Sequence, residues 1–167
     1  KIHIMKYRLL GDTDISVSEI GFGAWGIGGA TPGPTSYGPT DDDNSRRALN
    51  CAFEKGITFY DTSNVYGEGH SERLIGETFK EIRDRIIIAT KAGLYKYGQP
   101  ADFSPDYLKN SLETSLNRLK TDYIDLFQLH NPPLTTILEN HEILNLVEEL
   151  KKQGKVRSFG VSVQSPE

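Results

Sequence analysis

Short β-rich runs alternate with longer helical patterns along the chain, and this alternation constrains the possible folds more than any other feature of the sequence. The β-rich runs begin near residues 20, 57, 86, 123 and 157. Strands that alternate with helices in this way are typical of βαβ units, in which the strands are parallel and the helices pack on the sheet. The sequence therefore predicts an α/β fold.

One hairpin and five buried strands are predicted. The hairpin joins residues 7–10 to residues 15–18 through a polar turn. The strands are predicted over residues 20–25, 57–60, 85–90, 123–129 and 156–163. The third strand is apolar enough to be buried on both faces, as inner strands of a parallel sheet are. The segment over residues 26–39 is rich in Gly and Pro and is predicted to be a loop.

Four helices are predicted from their capping residues and apolar spacing. The first helix begins at the carboxylates of residues 41–43 and ends at Gly56. The second begins with Ser71 as its cap, the third with Ser104 and Pro105, and the fourth ends at Gly154. The side chains expected on the buried faces are Ala48, Leu49, Ala52 and Phe53; Leu74, Ile75 and Phe79; Leu108, Leu112, Leu116 and Leu119; and Ile143, Leu144, Val147 and Leu150.

The spacing of the strands allows two architectures. Successive strands begin about 37, 29, 37 and 34 residues apart, and eight such units need roughly 270 residues, close to the usual size of a (β/α)8 barrel. The chain has 167 residues. It is therefore either part of a barrel or a complete five-stranded doubly wound sheet, and length alone favours the second.

The composition excludes several classes of protein. The net charge of −4 gives no reason to expect the basic face of a nucleic-acid binder. No apolar run approaches the roughly 18 residues of a membrane span, and no signal segment opens the chain. The single Cys51 excludes an internal disulfide and a multi-cysteine metal site, and we expect it to be a small buried residue. We therefore expect a cytoplasmic protein that acts on a small molecule, without nucleic acid, membrane or metal.

Polar or reactive residues stand at the carboxyl ends of four predicted strands. They are Asp61 after the second strand, Lys91 after the third, His130 after the fourth and Ser162 near the end of the fifth. In a parallel barrel these ends converge on one mouth, where barrel enzymes hold their active sites. Tyr66 lies five residues beyond Asp61, in a loop that can fold over the same mouth.

These residue types form a coherent set for proton transfer to a carbonyl. A phenol has a pKa near 10, and an adjacent Lys91 ammonium is expected to lower the pKa of Tyr66. Asp61 can hold Lys91 charged by an ion pair, while His130 offers an N–H to a substrate oxygen. Taken singly, each residue has an ordinary alternative: a cap for Asp61, a solvated chain for Lys91, a turn for His130 and an amphipathic cover for Tyr66.

Five ordered motifs resemble those of the aldo-keto reductases, and the match runs from about Tyr7 to the end of the chain. The N-terminal hairpin and first strand of that family correspond to residues 7–11, 17–18 and 20–25. Its best-known signature corresponds to residues 56–62 with 65–67 and 71–72, and its later strands to residues 89–91, 123–126 with 128–130, and 160–162. Five motifs in order are far more specific than a single short pattern.

This resemblance implies a fold, an activity and a set of roles. The fold is a (β/α)8 TIM barrel, of which a single domain over residues 1–167 covers the hairpin and roughly the first five strands. The family reduces aldehydes and ketones with NADPH. Tyr66 is then the general acid, Lys91 and Asp61 tune it, and His130 orients the carbonyl. The residues that the resemblance places at the cofactor are Gly23, Ala24, Trp25, Asp61 and Ser162, and the loops at residues 68–70 and 95–97 are expected to shape the substrate site.

The resemblance has two departures and leaves alternatives open. Val163 stands where many members have Asn, and the sixth to eighth strands, which hold the nicotinamide ring and the phosphates, have no counterpart within residues 1–167. A non-catalytic cofactor-binding or regulatory protein on the same scaffold is one alternative. A flavodoxin-like domain is another, although residues 26–39 lack the Gly-x-Gly-x-x-Gly order that opens a phosphate-binding helix.

Overall fold

The computed structural model describes residues 5–31, 37–96 and 99–163, in which the chain forms a hairpin and a parallel sheet. The hairpin pairs β1 with β2 in antiparallel fashion, and the sheet contains β3 to β7 in the order in which they occur along the chain. The bounds of the strands are Tyr7–Leu9 (β1), Ser16–Ser18 (β2), Gly21–Gly23 (β3), Phe59–Asp61 (β4), Ile87–Ala92 (β5), Ile124–His130 (β6) and Val156–Ser162 (β7).

The strand order decides between the two architectures. A doubly wound sheet reverses direction at a switch point, so that some sequential strands are not neighbours. Here every strand pairs in parallel with the next one along the chain, from β3 to β7. Continuous winding of this kind is the winding of a (β/α)8 barrel. The doubly wound and flavodoxin-like alternatives are therefore wrong, and the barrel prediction is confirmed for the part of the barrel that the chain covers.

Helices connect the successive strands and pack on one another as they do so. Their bounds are Asp42–Glu54 (α1), His70–Phe79 (α2), Pro105–Leu119 (α3), Leu134–Glu139 (α4) and His141–Lys152 (α5), with 3₁₀ turns at Ala24–Ile27 and Lys80–Arg85. Contacts run from α1 to α2, from α2 to α3 and from α3 to α5. Because parallel crossovers share one hand, the helices line one face of the sheet, and the main core lies between the two layers.

The helix α3 shows how local signals position an element. The Ser104 hydroxyl accepts a hydrogen bond from the Tyr107 N–H, and Pro105 occupies the first turn, where its missing N–H is not needed. Leu108, Leu112, Leu116 and Leu119 are all buried, as predicted. The helix ends at Lys120, whose left-handed φ of 53° turns the chain toward β6.

Some predicted helix details are wrong. In α1 the buried residues are Ser45, Leu49 and Ala52, so Ala48 and Cys51 point to solvent rather than into the core. In α5 the buried residues follow the spacing i, i+3, i+4 and i+7, which buries Leu146 and exposes Leu144. These errors arise because a periodic apolar pattern extends one residue beyond the stripe that contacts the sheet.

Several predicted boundaries also differ from the structure. The first sheet strand stops at Gly23, because Ala24 begins a 3₁₀ turn. The second helix begins at His70 with Gly69 as its N-cap, so Ser71 is not the cap. The helix α4 and the turn at Lys80–Arg85 were not predicted. The structure does not describe residues 1–4, 32–36, 97–98 and 164–167. Parts of the predicted loops at residues 26–39 and 95–97 therefore lie outside the described residues.

The hairpin contacts the amino end of β4. The Ser18 hydroxyl accepts a hydrogen bond from the Thr58 N–H at 3.0 Å, and the Tyr7 hydroxyl donates to the Gly56 carbonyl at 3.0 Å. The buried side chains Ile15 and Val17 belong to the same hairpin. The hairpin therefore occupies the end of the sheet opposite to the carboxyl ends of the strands.

A buried carboxylate joins three elements near the amino ends of the strands. Asp125 in β6 is fully buried and accepts hydrogen bonds from Arg83 at 2.7 Å, from Arg157 at 2.8 Å and from the Ile88 N–H at 3.0 Å. The two arginines come from the turn before β5 and from β7. Loss of this charge would leave two guanidinium groups close together and partly buried, which is strongly unfavourable.

We predict that Asp125→Asn lowers the free energy of unfolding by about 2–3 kcal/mol, because the amide cannot neutralise Arg83 and Arg157. Urea denaturation of the variant and the parent measures this loss. Asp122→Asn makes the same chemical change at an exposed position three residues earlier and should change stability by no more than about 0.5 kcal/mol. Equal stabilities for the two variants would contradict the assigned role of Asp125.

Candidate active site

The strand register brings the predicted residues to one edge of the sheet. Asp61 ends β4 opposite Gly23 and Ala89, and Lys91 pairs with Gln128 one strand further on. His130 ends β6 opposite Ser162, the last residue of β7. All these residues lie at the carboxyl ends of their strands, which is the end where a barrel carries its active site.

The Lys91 ammonium is the centre of this group. Its Nζ donates to Asp61 Oδ2 at 2.7 Å, to the Thr62 carbonyl at 2.8 Å and to the Tyr66 hydroxyl at 3.3 Å. An ammonium has three hydrogens, so these three partners satisfy it completely. Only 3% of the Lys91 surface is exposed, and its alternative assignment as a solvated chain is therefore wrong.

The loop after β4 holds Tyr66 over Lys91. It begins with a hydrogen bond from the Thr62 N–H to Ala89 and continues with short turns that lead into α2. Gly67 has a φ of 62°, and a Cβ atom there would lie 1.8 Å from the Gly28 carbonyl oxygen. Only glycine fits such a close approach of two backbones. The contact seats the loop against the segment that follows β3.

The buried hydroxyl of Ser71 contacts the same loop from the first turn of α2. It donates to the Ala24 carbonyl at 2.9 Å and lies 2.8 Å from the Thr62 hydroxyl. Ser71, which the sequence predicts as a helix cap, instead links α2 to the 3₁₀ turn after β3 and to the loop after β4. This link is adjacent to the Thr62 carbonyl that accepts from Lys91.

His130 faces the same mouth from β6. Its ring meets the Tyr66 ring edge-on, with 6.0 Å between the ring centroids. Its Nδ1 atom lies 3.0 Å from the Ser63 hydroxyl. Its Nε2 atom has no hydrogen-bond partner among the described residues, so this nitrogen can meet a bound molecule. The imidazole is therefore a side chain of the site and not only the start of a turn.

Burial sets the protonation of the site. It raises the pKa of Tyr66 to about 12, and the Asp61 carboxylate adds to the rise. The expectation that Lys91 lowers the phenol pKa is therefore wrong in its net direction, because burial, with a smaller effect of Asp61, raises the pKa instead. Burial also lowers the pKa of Lys91, an effect that Asp61 opposes. Burial, with a smaller effect of Lys91, lowers the pKa of His130 to about 4.

At neutral pH the site thus combines a protonated phenol, a neutral imidazole and an ion pair. A neutral phenol is a proton donor, and an ammonium 3.3 Å away stabilises the phenolate that remains after the proton leaves. The arrangement can donate two hydrogen bonds to a single oxygen atom and deliver a proton to it.

The residues predicted to contact a cofactor differ in their exposure at the mouth of the site. Gly23 is exposed, with open space where a Cβ atom would lie, and Ser162 ends β7 beside His130. Trp25 is 37% exposed, and its ring centroid lies 6.3 Å from that of Tyr66 and 4.8 Å from that of Tyr37. Ala24 is fully buried and its carbonyl accepts from Ser71, so its burial does not support the assignment of Ala24 to the cofactor.

Three contributions to the site were not predicted from the sequence. The Gln128 amide donates to Asp61 Oδ1 at 3.4 Å, the Thr62 carbonyl accepts from Lys91, and Ser63 contacts His130. Gln128 had a usable signal, since it lies two residues before His130 and therefore on the same face of β6. The other two depend on loop geometry that no periodic pattern encodes.

The loops at residues 68–70 and 95–96 lie on the outer side of the site. Glu68 forms an ion pair with Lys96 at 2.9 Å, and His70 contacts Asp42 at 2.8 Å. Glu68, Tyr95 and Lys96 line a cavity of about 380 Å³ against α3. The central group, which consists of Asp61, Tyr66, Lys91 and His130, does not line this cavity. The cavity is therefore separate from the reactive groups at the mouth.

The described ranges also lack the features of two other kinds of site. No helix there is both long and apolar enough to cross a bilayer. The same ranges contain no group of three or more His, Cys, Asp and Glu side chains arranged to hold a metal ion.

We predict that His130 makes stability depend on pH. An unfolded imidazole has a pKa near 6.5, whereas the pKa in the folded state is about 4. Between these values the unfolded state binds more protons, so stability is lost as the pH falls through this window. From pH 7 to pH 5 the parent should lose up to about 2 kcal/mol more than His130→Gln, as measured by urea denaturation. Parallel losses in the two proteins would contradict the buried neutral imidazole.

Known proteins match the chain in sequence and in structure. The aldo-keto reductase YhdN of Bacillus subtilis is 42% identical over 163 residues, which are 95% of this chain and 47% of that protein. The NADH-specific methylglyoxal reductase of Escherichia coli is 34% identical over 175 residues, covering 95% of this chain and 52% of that protein. The holo form of aldo-keto reductase AKR11C1 from Bacillus halodurans superposes with a TM-score of 0.82 at 37% identity, covering 97% of this chain and 51% of that one.

The chain spans about half the length of the curated relatives that it matches. The sequence profile described as the Aldo/keto reductase family matches residues 19–167. This match includes β3 to β7 and every residue of the central group. The chain therefore belongs to the aldo/keto reductase family.

Proposed function

We propose that the protein reduces an aldehyde or ketone to an alcohol by hydride transfer from NADPH, with Tyr66 as the proton donor. The observation that carries this proposal is the contact of a fully satisfied, buried Lys91 ammonium with both the Asp61 carboxylate and the Tyr66 hydroxyl. Such a set is costly to bury and serves the delivery of a proton to an oxygen atom.

The carbonyl oxygen of the substrate accepts hydrogen bonds from the Tyr66 O–H and from His130 Nε2–H. These two donors polarise the carbonyl, so that its carbon becomes a better hydride acceptor. As negative charge grows on the oxygen, the Tyr66 proton moves to it and the phenolate forms beside Lys91. Asp61 keeps Lys91 protonated throughout, because its carboxylate lies 2.7 Å from the ammonium.

The residues at the mouth fit a nicotinamide cofactor in part. The open space beside Gly23, the exposed Trp25 ring and the Ser162 position all border the central group. A reduced nicotinamide supplies the hydride when bound. Gly23 and Trp25 would then lie against it, Asp61 would border it, and Ser162 would hydrogen-bond the carboxamide. One matched relative is named as NADH-specific, so the preference for NADPH is a separate element of the proposal.

We predict that Tyr66→Phe lowers kcat for a generic aldehyde such as 4-nitrobenzaldehyde by about 10²- to 10⁴-fold, because the proton donor is lost while the ring remains. The loss of NADPH absorbance in the complete protein measures the rate. Tyr7→Phe removes the same atom from the hairpin at the opposite end of the sheet and should leave kcat within about twofold.

Normal turnover by Tyr66→Phe would overturn the assigned mechanism. Cofactor binding without turnover of any aldehyde or ketone by the parent would instead support the non-catalytic alternative. Assays with NADH in place of NADPH decide the cofactor preference, and fractionation of cells tests the proposed cytoplasmic location.

A further inference from the structure

We propose that Ser63 is a positioning residue that fixes the tautomer of His130, so that the ring proton resides on Nε2 and faces the substrate oxygen. This inference rests on the proposed function, because the role of the Nε2 proton is to bind the carbonyl oxygen of the substrate. It assigns a role to a residue outside the central group of Asp61, Tyr66, Lys91 and His130.

The contact between Ser63 and His130 is buried and short. Ser63 has no exposed surface, and its hydroxyl lies 3.0 Å from His130 Nδ1, although the two residues are 67 positions apart in the chain. In a neutral histidine one ring nitrogen donates and the other accepts, and the partner of one nitrogen determines which tautomer is present. The state of Nδ1 therefore determines what Nε2 can do.

The other partners of Ser63 reduce the possibilities to two. The Val65 N–H lies 3.4 Å from the Ser63 oxygen and donates to it. The Asn64 amide nitrogen donates to the Leu94 carbonyl at 2.9 Å and to Ser111, so the Asn64 oxygen points toward Ser63 at 3.2 Å. The single hydroxyl hydrogen of Ser63 goes either to His130 Nδ1 or to the Asn64 oxygen.

The first arrangement is favoured by distance and by chemistry. Nδ1 is the nearer acceptor, and an imidazole nitrogen is a stronger base than an amide oxygen. In this arrangement the Asn64 oxygen can accept a hydrogen bond from water, because Asn64 borders the outer cavity beside α3 and is only half-buried. With Nδ1 accepting from Ser63, the proton of the neutral ring lies on Nε2.

The second arrangement would make the site unproductive. Nδ1–H would donate to Ser63, and Nε2 would present a lone pair to the carbonyl oxygen, which repels it. Protonation of the ring would also supply a donor at Nε2, but burial and Lys91 hold the pKa of His130 at about 4. At neutral pH the tautomer, and not protonation, therefore controls the hydrogen bond to the substrate.

The ring nitrogens of His130 can be examined directly by ¹⁵N NMR at pH 7, in the complete protein labelled at histidine. Comparison with the spectrum of His130→Gln assigns the signals of this ring. We expect a pyrrole-type shift at Nε2 and a pyridine-type shift at Nδ1. A pyrrole-type shift at Nδ1 in the parent would overturn the proposal without any variant of Ser63 and whatever the protein catalyses.

Variants then test whether Ser63 is the cause. Ser63→Ala should move the two shifts toward an average of both tautomers and lower kcat about five- to tenfold, the loss expected from one hydrogen bond. Ser63→Thr keeps a hydroxyl and should restore both readouts. Ser115→Ala is the matched control and should change neither readout, because Ser115 is equally buried and its hydroxyl has no hydrogen-bond partner among the described residues.

The two proposals fail in different ways. Unchanged His130 shifts in Ser63→Ala would refute the role of Ser63 even if the protein reduces carbonyls. The expected shifts in a parent that reduces no carbonyl would refute the proposed function and leave the effect of Ser63 on the tautomer intact.

Discussion

The burial of one ammonium group is the constraint on which the arrangement of this site depends. Lys91 lies near the carboxyl end of a buried strand with 3% of its surface exposed, and a charge in that position is tolerated only when its hydrogens are all paired. Its partners come from the end of β4 and from the loop that follows it. The position of this loop is therefore an electrostatic requirement of the core as well as a requirement of catalysis.

The parallel sheet supplies the geometry that this pairing needs. Because each strand is the neighbour of the next, Asp61, Lys91 and His130 come from three adjacent strands and lie at the carboxyl ends of those strands. The hairpin occupies the other end, so the two ends of the sheet have separate tasks. At the amino ends Asp125 neutralises two arginines and joins the elements there, whereas the carboxyl ends carry the reactive groups.

Sequence patterns predict the parts of this structure that depend on periodicity and on ordered motifs. The five strands, the leucine face of α3 and the convergence of Asp61, Lys91 and His130 follow from such patterns. Such patterns do not predict the helix start at His70, the outward direction of Cys51 or the contact of Ser63 with His130. They depend on which of two adjacent residues meets the sheet, or on a loop whose shape arises from contacts distant in sequence. The sequence also fails to predict that the pKa of Tyr66 is raised, because the rise is caused mainly by burial, which the sequence does not show.

A single arginine of α3 links the reactive loop to the buried layer behind it. Arg118 donates to the carbonyl of Asn64 at 3.3 Å and to the carboxylate of Glu72 at 3.2 Å, and Glu72, which has no exposed surface, also accepts from Thr90 in the strand of Lys91. The loop is therefore held in place by a helix that lies outside the group of Asp61, Tyr66, Lys91 and His130. In laboratory evolution of this protein, we therefore expect beneficial changes in turnover to arise also in α3, at positions that a screen confined to the residues around Tyr66 and His130 would leave unsampled.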